Sequence, residues 1–224
     1  MKTLVIIAMV VALFGSWGCK KIFQRLSRKI STVADSIAAG SGSITIDGVR
    51  LEHSSQHTIK QAYAGTRLIF DEGNCVFELS GQDAGEVELV VQVREFTPED
   101  ATVSFSDGKL LISTKSRKPA TITRVEGKIP QSLNLDLEVG NGQIRLSKLK
   151  GNNSLKLESG NGQIGLDDCT FATGSAKIGN GSLTISNCTI EKMSAEVGVG
   201  TIVLRNSTIK ERDLDIRVGE IVEE

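Results

Sequence analysis

Histidine and cysteine side chains, which could bind a metal or act as nucleophiles, are few and scattered in this sequence. His53 and His57 are the only histidines. Their spacing of four residues would bring them together only on a helix, whereas the surrounding LEHSSQHTIK is typical of a polar loop between strands. Cys75 lies in the apolar stretch NCVFEL without a histidine partner. We therefore expect two solvated loop histidines, a small buried side chain at Cys75, and no metal or cofactor.

Carboxylates that could act as a general acid and base are also sparse. If the chain coils with the period described below, Glu138 and Glu158 lie one coil apart, and Asp167 and Asp168 lie near a corner. Neither pair has a histidine partner or a recurring metal pattern, although general acid–base chemistry needs a cluster on one face. The repeated Asp of calcium-binding nonapeptides is absent. The sequence predicts a protein that is not an enzyme, and a polysaccharide-acting β-helix enzyme is the less favoured alternative.

Cys19 is the one residue at which the sequence predicts a modification. Lys2 and the apolar run from Leu4 to Phe14 have the charged start and short hydrophobic length of a secretory signal. The run ends in GSWGC, which resembles a bacterial lipobox. The resemblance implies that residues 1–19 are a signal peptide, that Cys19 is lipidated, and that the protein is an exported, membrane-anchored lipoprotein of the bacterial cell envelope.

Two alternatives to a lipoprotein signal remain open for residues 1–19. Ser16 and Trp17 stand where a lipobox usually has Leu and a small residue, so an ordinary signal peptide or an uncleaved anchor over residues 3–19 also fits the composition. Against an anchor, the positive-inside rule would hold the following domain in the cytoplasm. The basic residues responsible are Lys20, Lys21, Arg25, Arg28 and Lys29.

Residues 20–39 are predicted to form an amphipathic helix. Apolar residues recur there at helical spacing, with basic residues at other positions. The apolar positions are Ile22, Leu26, Ile30, Val33 and Ile37. Such a helix could lie on a membrane surface, or its apolar stripe could cover the open end of a β-structure, which we favour.

Residues 40–134 are predicted to be an irregular lead segment of short β-strands. The stretches SITIDGVRL, RLIFDE, NCVFELSG and EVELVVQVRE each alternate apolar and polar residues over strand lengths. Asp107-Gly108 lies between two alternating runs and predicts a two-residue hairpin turn.

Residues 135–224 repeat one short phrase five times. Aligned on one glycine, the copies read LDLEVGNGQIRL, LKLESGNGQIGL, AKIGNGSLTI, AEVGVGTIVL and LDIRVGEIVE. We call these residues the anchoring glycines: Gly142, Gly162, Gly181, Gly200 and Gly219. A period of roughly 19 to 20 residues is too short for helix pairs and predicts an all-β fold, a β-solenoid with one copy per coil.

Counting from the anchoring glycine, apolar residues at the second and fourth positions should form ladders inside the solenoid. The sixth position holds Lys148, Asp168, Asn187 and Asn206. Because Asp and Asn tolerate a left-handed backbone, this position predicts a corner with a short side-chain ladder. The seventh and ninth positions are again apolar or small, and Gly-Asn-Gly predicts another corner. Each coil should therefore have three faces, for example LKLES, QIGL and CTF.

Cys169 and Cys188 occupy the seventh position of adjacent coils. Their Cα atoms should lie about 4.8 Å apart, the spacing of neighbouring strands. Parallel side chains then leave the Cβ atoms further apart than a relaxed disulfide prefers. Two stacked thiols are favoured over a strained bridge, and both remain open.

These features together resemble the bacterial "putative adhesin" domain family of glycine-rich exported β-solenoids. The match covers roughly residues 86–224, through SFSDGKLLISTKS and the glycine repeats. The family name implies surface adhesion but defines no ligand residues. The resemblance implies a non-enzymatic cell-envelope binding module for a surface ligand, protein or glycan, with outward charges as contacts. Those charges are Arg145, Lys156, Glu158, Lys177, Glu196 and Arg205.

A self-assembling envelope scaffold, in which the end coil pairs with another copy, is the alternative function. The net charge of -1 over 224 residues gives no electrostatic reason to expect a nucleic-acid partner. Aromatic residues are only 4% of the chain while glycines number 23, which suits stacked coils with tight corners.

Overall fold

The computed structural model describes residues 44–224, which fold entirely as β-structure. No helix within these residues has the length and apolar character needed to cross a membrane. The predicted signal segment and the predicted amphipathic helix lie outside the described residues. The described fold confirms the all-β prediction and the β-solenoid.

Thirteen strands make up residues 44–224. They are β1 (Ile44–Ile46), β2 (Val49–Leu51), β3 (His53–Ala62), β4 (Arg67–Gln82), β5 (Glu86–Glu95), β6 (Ala101–Ser106), β7 (Lys109–Thr114), β8 (Ala120–Pro130), β9 (Asn134–Ser147), β10 (Ser154–Asp167), β11 (Thr170–Ser186), β12 (Thr189–Arg205) and β13 (Thr208–Glu223). Nine of them form one sheet in the order β13-β12-β11-β10-β9-β4-β8-β5-β3. The pairs β1–β2 and β6–β7 are separate antiparallel hairpins.

The solenoid consists of long bent strands that stack in parallel, one per coil. β9 to β13 pair in register, so that every anchoring glycine lies beside the anchoring glycine of the next coil. β4 stacks on β9 in the same register and places Cys75 beside Gly142. The predicted repeat alignment is confirmed, and the register extends one strand further towards the N-terminus than the glycine pattern indicates.

Residues with positive φ angles form two columns along the stack and turn its corners. The sixth-position residues Lys148, Asp168, Asn187 and Asn206 all have left-handed φ angles, of 56°, 50°, 54° and 46°. The five anchoring glycines have φ angles between 142° and 150°. Both corners therefore lie where the sequence predicts them, because Asp, Asn and Gly tolerate these angles better than other residues.

The hydrogen-bonded side-chain ladder lies at the Gly-Asn-Gly corner. Asn141 donates to Asn74, Asn161 donates to Asn141, and Asn180 donates to Asn161, each over 2.8 Å. At the predicted position of the ladder, Asn187 donates to Asp167 of the preceding coil over 3.1 Å. The residue before the anchoring position forms the continuous ladder because it is Asn in β4, β9, β10 and β11, whereas it is Val in β12 and β13.

Aliphatic columns fill the interior of the coils, as predicted. The second-position residues Ile144, Ile164, Leu183 and Ile202 are buried, and so are the fourth-position residues Leu146, Leu166, Ile185 and Leu204. At the seventh and ninth positions, Leu149, Cys169, Phe171, Cys188 and Ile190 are buried. Burial of this apolar surface, at roughly 25 cal/mol per Å², is the main stabilising contribution along the stack.

The first coil is one residue longer than the others, and the extra residue lies in a short loop. Lys150 bridges Thr170 twenty positions on, whereas Ser154 pairs with Thr173 nineteen positions on. The loop between them buries Asn153, whose Nδ2 donates to the carbonyl oxygens of Gln131 at 3.0 Å and Leu133 at 3.2 Å. The loop is thereby tied to the chain that enters the first coil.

The segment before the coils is mostly regular sheet. β8 pairs with β4 on the side away from β9, and antiparallel strands β5 and β3 follow it. The two predicted strands RLIFDE and NCVFELSG form the single bent strand β4. Asp107 and Gly108, with φ angles of 50° and 75°, make the predicted hairpin turn between β6 and β7.

Candidate functional site

The two histidines do not form a metal site, and the prediction that they lie in a loop is wrong. LEHSSQHTIK lies mainly in β3, an edge strand that pairs antiparallel with β5. The stretch has few apolar residues because an edge strand with one solvated face needs few. His53 and His57 are four residues apart on this strand, a separation of roughly 13 Å at the usual rise per residue. That separation is too large for one ion.

Cys75 is buried, as predicted, and occupies the position of an anchoring glycine in β4. Burial and the nearby Glu72 carboxylate raise the pKa of its thiol. The thiolate, which is the nucleophilic form, is therefore disfavoured at neutral pH. Cys75 is a packing residue in this structure, and Cys19 lies outside the described residues.

Cys169 and Cys188 are free thiols on adjacent coils. The Cys169 Sγ lies 3.2 Å from the carbonyl oxygen of Asp167, and the Cys188 Sγ lies 3.0 Å from that of Ser186. The hydrogen bond with Cys169, followed by burial, raises the pKa of Cys188. The equivalent contacts and burial of both sulfurs agree with the predicted stacked thiols.

The carboxylates considered as catalytic candidates are dispersed along the surface. Glu138 and Glu158 occupy the same register position on adjacent strands, and Glu158 also contacts Lys156 at 3.0 Å. Asp167 and Asp168 are both exposed at the corner. Within residues 44–224, no cluster of three or more His, Cys, Asp or Glu side chains could hold a metal ion.

The six outward charges predicted as ligand contacts are engaged in ion pairs with each other or with neighbouring coils. Lys156 lies 3.3 Å from Asp136, and Lys177 lies 3.1 Å from Glu196, which also contacts Arg217 at 3.1 Å. Arg145 contacts Glu78, and Arg205 contacts Glu224. Because opposite charges alternate along the stack, this surface carries little local excess charge and each exposed pair contributes little stability.

A shallow groove lies on the face that follows the anchoring glycines. Its volume is about 580 Å³. Gly165 lies at its floor, between Arg145 of the preceding coil and Thr184 of the following coil. Gln163 and Asp167 flank the floor along the strand. The remaining polar lining consists of Glu78 and the hydroxyls of Ser80, Ser147, Ser182 and Ser186.

Gly165 opens this groove without a structural requirement for glycine. Its φ is not in the positive range, and an added Cβ would meet only the Arg145 Cγ, at 3.8 Å. At Gly181, by contrast, an added Cβ would lie 1.7 Å from the carbonyl oxygen of Gly162. Glycine weakens a strand interior and often marks a place where another molecule approaches the backbone. The sequence alone does not distinguish Gly165 from Gly181, because every glycine of the repeat could be a residue that turns a corner.

The fixed polar groups of the groove can recognise both donors and acceptors. The Gln143 Nε2 donates to the Gln163 Oε1 over 3.2 Å, which orients both amides. Arg145 is held 3.2 Å from Glu78, and Asp167 accepts from Asn187. Serine and threonine hydroxyls can donate or accept. This arrangement suits hydrogen-bonded recognition of a polar ligand.

Glu95 is a buried charged residue whose role the sequence analysis missed. Its carboxylate accepts backbone hydrogen bonds from Glu99 at 3.1 Å, Asp100 at 3.0 Å and Ala101 at 2.7 Å. Desolvation opposes its ionisation, but these bonds and one from Ser55 outweigh that effect and lower the pKa of Glu95. The acid at the end of β5, followed by the turn TPED, is the signal that could have identified it. It fixes the turn into β6 and is structural.

No family model matches the sequence, and no curated protein matches it. Several solved structures are similar at low identity. A "putative cell adhesion protein" from Clostridium sporogenes is 13% identical, with 76% of this chain and 98% of that chain covered and a TM-score of 0.36. A "putative adhesin" from Bacteroides fragilis is 15% identical, with 76% and 97% covered and a TM-score of 0.31.

A third similar structure carries a different description. It is a "putative lipid binding protein" from Parabacteroides distasonis, 15% identical, with 76% of this chain and 94% of that chain covered and a TM-score of 0.29. The names of the first two agree with the family that the sequence resembles.

Proposed function

We propose that this protein is a non-enzymatic, adhesin-like binding module of the bacterial cell envelope, and that the groove around Gly165 is its ligand site. The ligand is a polar surface molecule, glycan or protein, which lies across several coils. The observation that carries the proposal is the space above Gly165, a glycine that neither backbone geometry nor packing requires.

The stacked strands make the groove a suitable recognition surface. Each polar side chain stands on a strand whose backbone is paired on both sides, from β4 through β11. A rigid scaffold reduces the entropy lost when a ligand is bound. A groove with hydroxyl, amide, guanidinium and carboxylate groups matches a ligand that has alternating donors and acceptors.

Filling the groove tests this assignment. We expect Gly165→Tyr to keep the fold, because the side chain would project into open space, and to weaken binding by at least about tenfold through steric exclusion. Binding would be measured as retention of the full chain on immobilised cell-wall glycan and on envelope proteins. Circular dichroism and thermal unfolding would confirm the fold.

Ser175→Tyr is the matched control, because Ser175 is exposed on a different part of its strand and does not line the groove. This variant should retain wild-type binding. Equal binding by wild type and Gly165→Tyr would refute the site. No retention of the wild-type chain on either surface would refute the binding function.

Anchoring through Cys19 is part of the same proposal, since it would hold the module at the envelope. It rests on the charged start, apolar run and GSWGC stretch of the first nineteen residues. We expect cells that express the wild-type chain to incorporate radioactive palmitate into it, and cells that express Cys19→Ala not to do so. Equal labelling of the two chains would contradict lipidation at this cysteine.

A further inference from the structure

The last coil leaves apolar groups exposed at the C-terminal edge of the sheet. Within residues 44–224, β13 is the terminal strand of the nine-stranded sheet and pairs only with β12. Ile221 is 43% exposed, although its counterpart Ile202 in the preceding coil is buried, and Val218 at the corner is 61% exposed against 49% for its counterpart Val199. Leu214 and Ile216 are half-buried, although their counterparts Ala195 and Val197 in the preceding coil are fully covered. This edge therefore has unpaired backbone groups beside a row of aliphatic side chains.

An ion pair covers one part of this edge. Arg212 and Glu223 take the places that Met193 and Leu204 hold in the preceding coil. The Arg212 Nη1 lies 2.7 Å from the Glu223 Oε1. Charged groups that point inward at an edge discourage pairing there, because pairing would bury them. Beside this ion pair, residues 213–219 keep the half-buried aliphatic side chains of Leu214 and Ile216 at the edge.

We propose that residues 213–219 pair antiparallel with the same residues of a second copy of this chain, across a two-fold axis beside Ile216. In this register Ile216 faces Ile216 of the partner subunit, and Leu214 faces Val218 of the partner subunit. Asp215 faces Arg217 of the partner subunit, and the symmetry makes this contact twice. The protein is a closed dimer joined at its C-terminal coils.

The charges along β13 select this register from its neighbours. A register centred on Leu214 places Asp213 opposite Asp215, and one centred on Asp215 places that carboxylate opposite itself. Like charges directly opposite each other destabilise a strand pair, whereas opposite charges stabilise it. A register centred between two residues would place inward side chains opposite outward ones. Pairing around Ile216 avoids all three conflicts.

The partner is a second copy because the edge is self-complementary in charge. Asp215 and Arg217 are both exposed and point to the same face of the strand. Arg217 is oriented by Glu196, at 3.1 Å, in the coil below. A seven-residue strand pair buries less area than a standard stable interface, so the dimer should be weak and dependent on concentration. The groove around Gly165 includes no residue of β13 and stays accessible.

Symmetric charge exchange tests the pairing. The full chain would be purified in detergent, and sedimentation velocity would be recorded over a series of protein concentrations. We expect a monomer–dimer equilibrium for the wild type. Asp215→Arg and Arg217→Asp should each raise the dissociation constant by about tenfold or more, because each replaces two attractive contacts with two repulsive ones. The double variant, which exchanges the two charges, should restore the dimer.

Asp213→Arg is the control, because Asp213 is exposed on the same strand but faces Gly219 of the partner subunit in this register. It should change the dissociation constant by less than about threefold, since it faces no charge. A wild-type monomer at every concentration would overturn the proposal, as would assemblies that grow beyond two chains. Failure of the double variant to restore dimerisation would overturn the register.

Discussion

Ser159 carries a hydroxyl group into a column of aliphatic side chains. Its neighbours in the adjacent coils are Val139 and Ile178, and the residue is 4% exposed. Among the residues that the structure describes, none is a hydrogen-bond partner of the Ser159 Oγ. Burying a hydroxyl without a partner costs free energy, so this position lowers the stability of the stack.

We expect Ser159→Val to raise the free energy of unfolding by about 1 kcal/mol, because it removes an unsatisfied buried hydroxyl and adds apolar contacts. Thermal unfolding of the full chain would measure the change, with Ser194→Val at an exposed position as the control. The control should stay within about 0.5 kcal/mol of the wild type. A less stable Ser159→Val chain would show that the cavity does not accept the extra methyl groups.

Individual reactive residues were predicted best where the repeat constrained them. The burial of Cys169 and Cys188 followed from their equivalent positions in consecutive coils. The strand at His53 and His57 was missed because an edge strand lacks the apolar alternation by which strands are identified. The three backbone groups that bind Glu95 come from a turn whose path depends on the tertiary fold, so its role was not readable from spacing.

At the scale of one strand, the anchoring glycine determines whether a coil can bend onto the preceding one. Gly181 combines a φ of 145° with a backbone approach that leaves no space for a side chain. The same conditions hold at Gly162 and Gly200. A Cβ atom at this corner would push the two coils apart and break their pairing.

We therefore expect Gly181→Ala to lower the free energy of unfolding by about 3 kcal/mol or more, from backbone strain and steric overlap together. Gly165→Ala is the matched control, because it makes the same chemical change where φ is permissive and space is free. That control should leave stability unchanged or raise it by up to about 1 kcal/mol. Equal losses in the two variants would contradict this account of the corner. Chemical denaturation would measure both.

The bent strands themselves were predictable because their glycine and aliphatic columns repeat in every coil. The Asn ladder was placed at a different corner, since Asn occurs at both corners and only the structure shows which amides align. The inclusion of β4 in the stack was missed because Cys75 takes the place of the anchoring glycine. A repeat that lacks its marker residue cannot be found by that marker.

At the scale of the whole described fold, the two edge strands of the nine-stranded sheet expose different kinds of side chain. β3 forms one edge with polar residues and pairs with β5. β13 forms the other edge, where Arg212 and Glu223 cover part of the interior and Val218 and Ile221 stay exposed. Only the structure separates the covered part of the edge from the apolar part.

The groove could not be predicted, because it depends on which side chains from different coils share one face and on the space above one glycine. The sequence offered charged residues as ligand contacts, and the structure places those charges in ion pairs with each other or with residues of neighbouring coils. A concave site on a solenoid is defined by differences among repeats. The regularity that makes the fold predictable therefore hides the site.

The nineteen-residue step between Gly162, Gly181, Gly200 and Gly219 also has a consequence for how such a chain can evolve. Each coil offers the next the same corner, the same columns and the same pairing register. Recombination between two repeats of the gene can therefore remove or duplicate one whole coil while the new neighbours still fit. The length of the solenoid can therefore change during evolution in steps of one coil, while the two edge strands of the sheet stay unchanged.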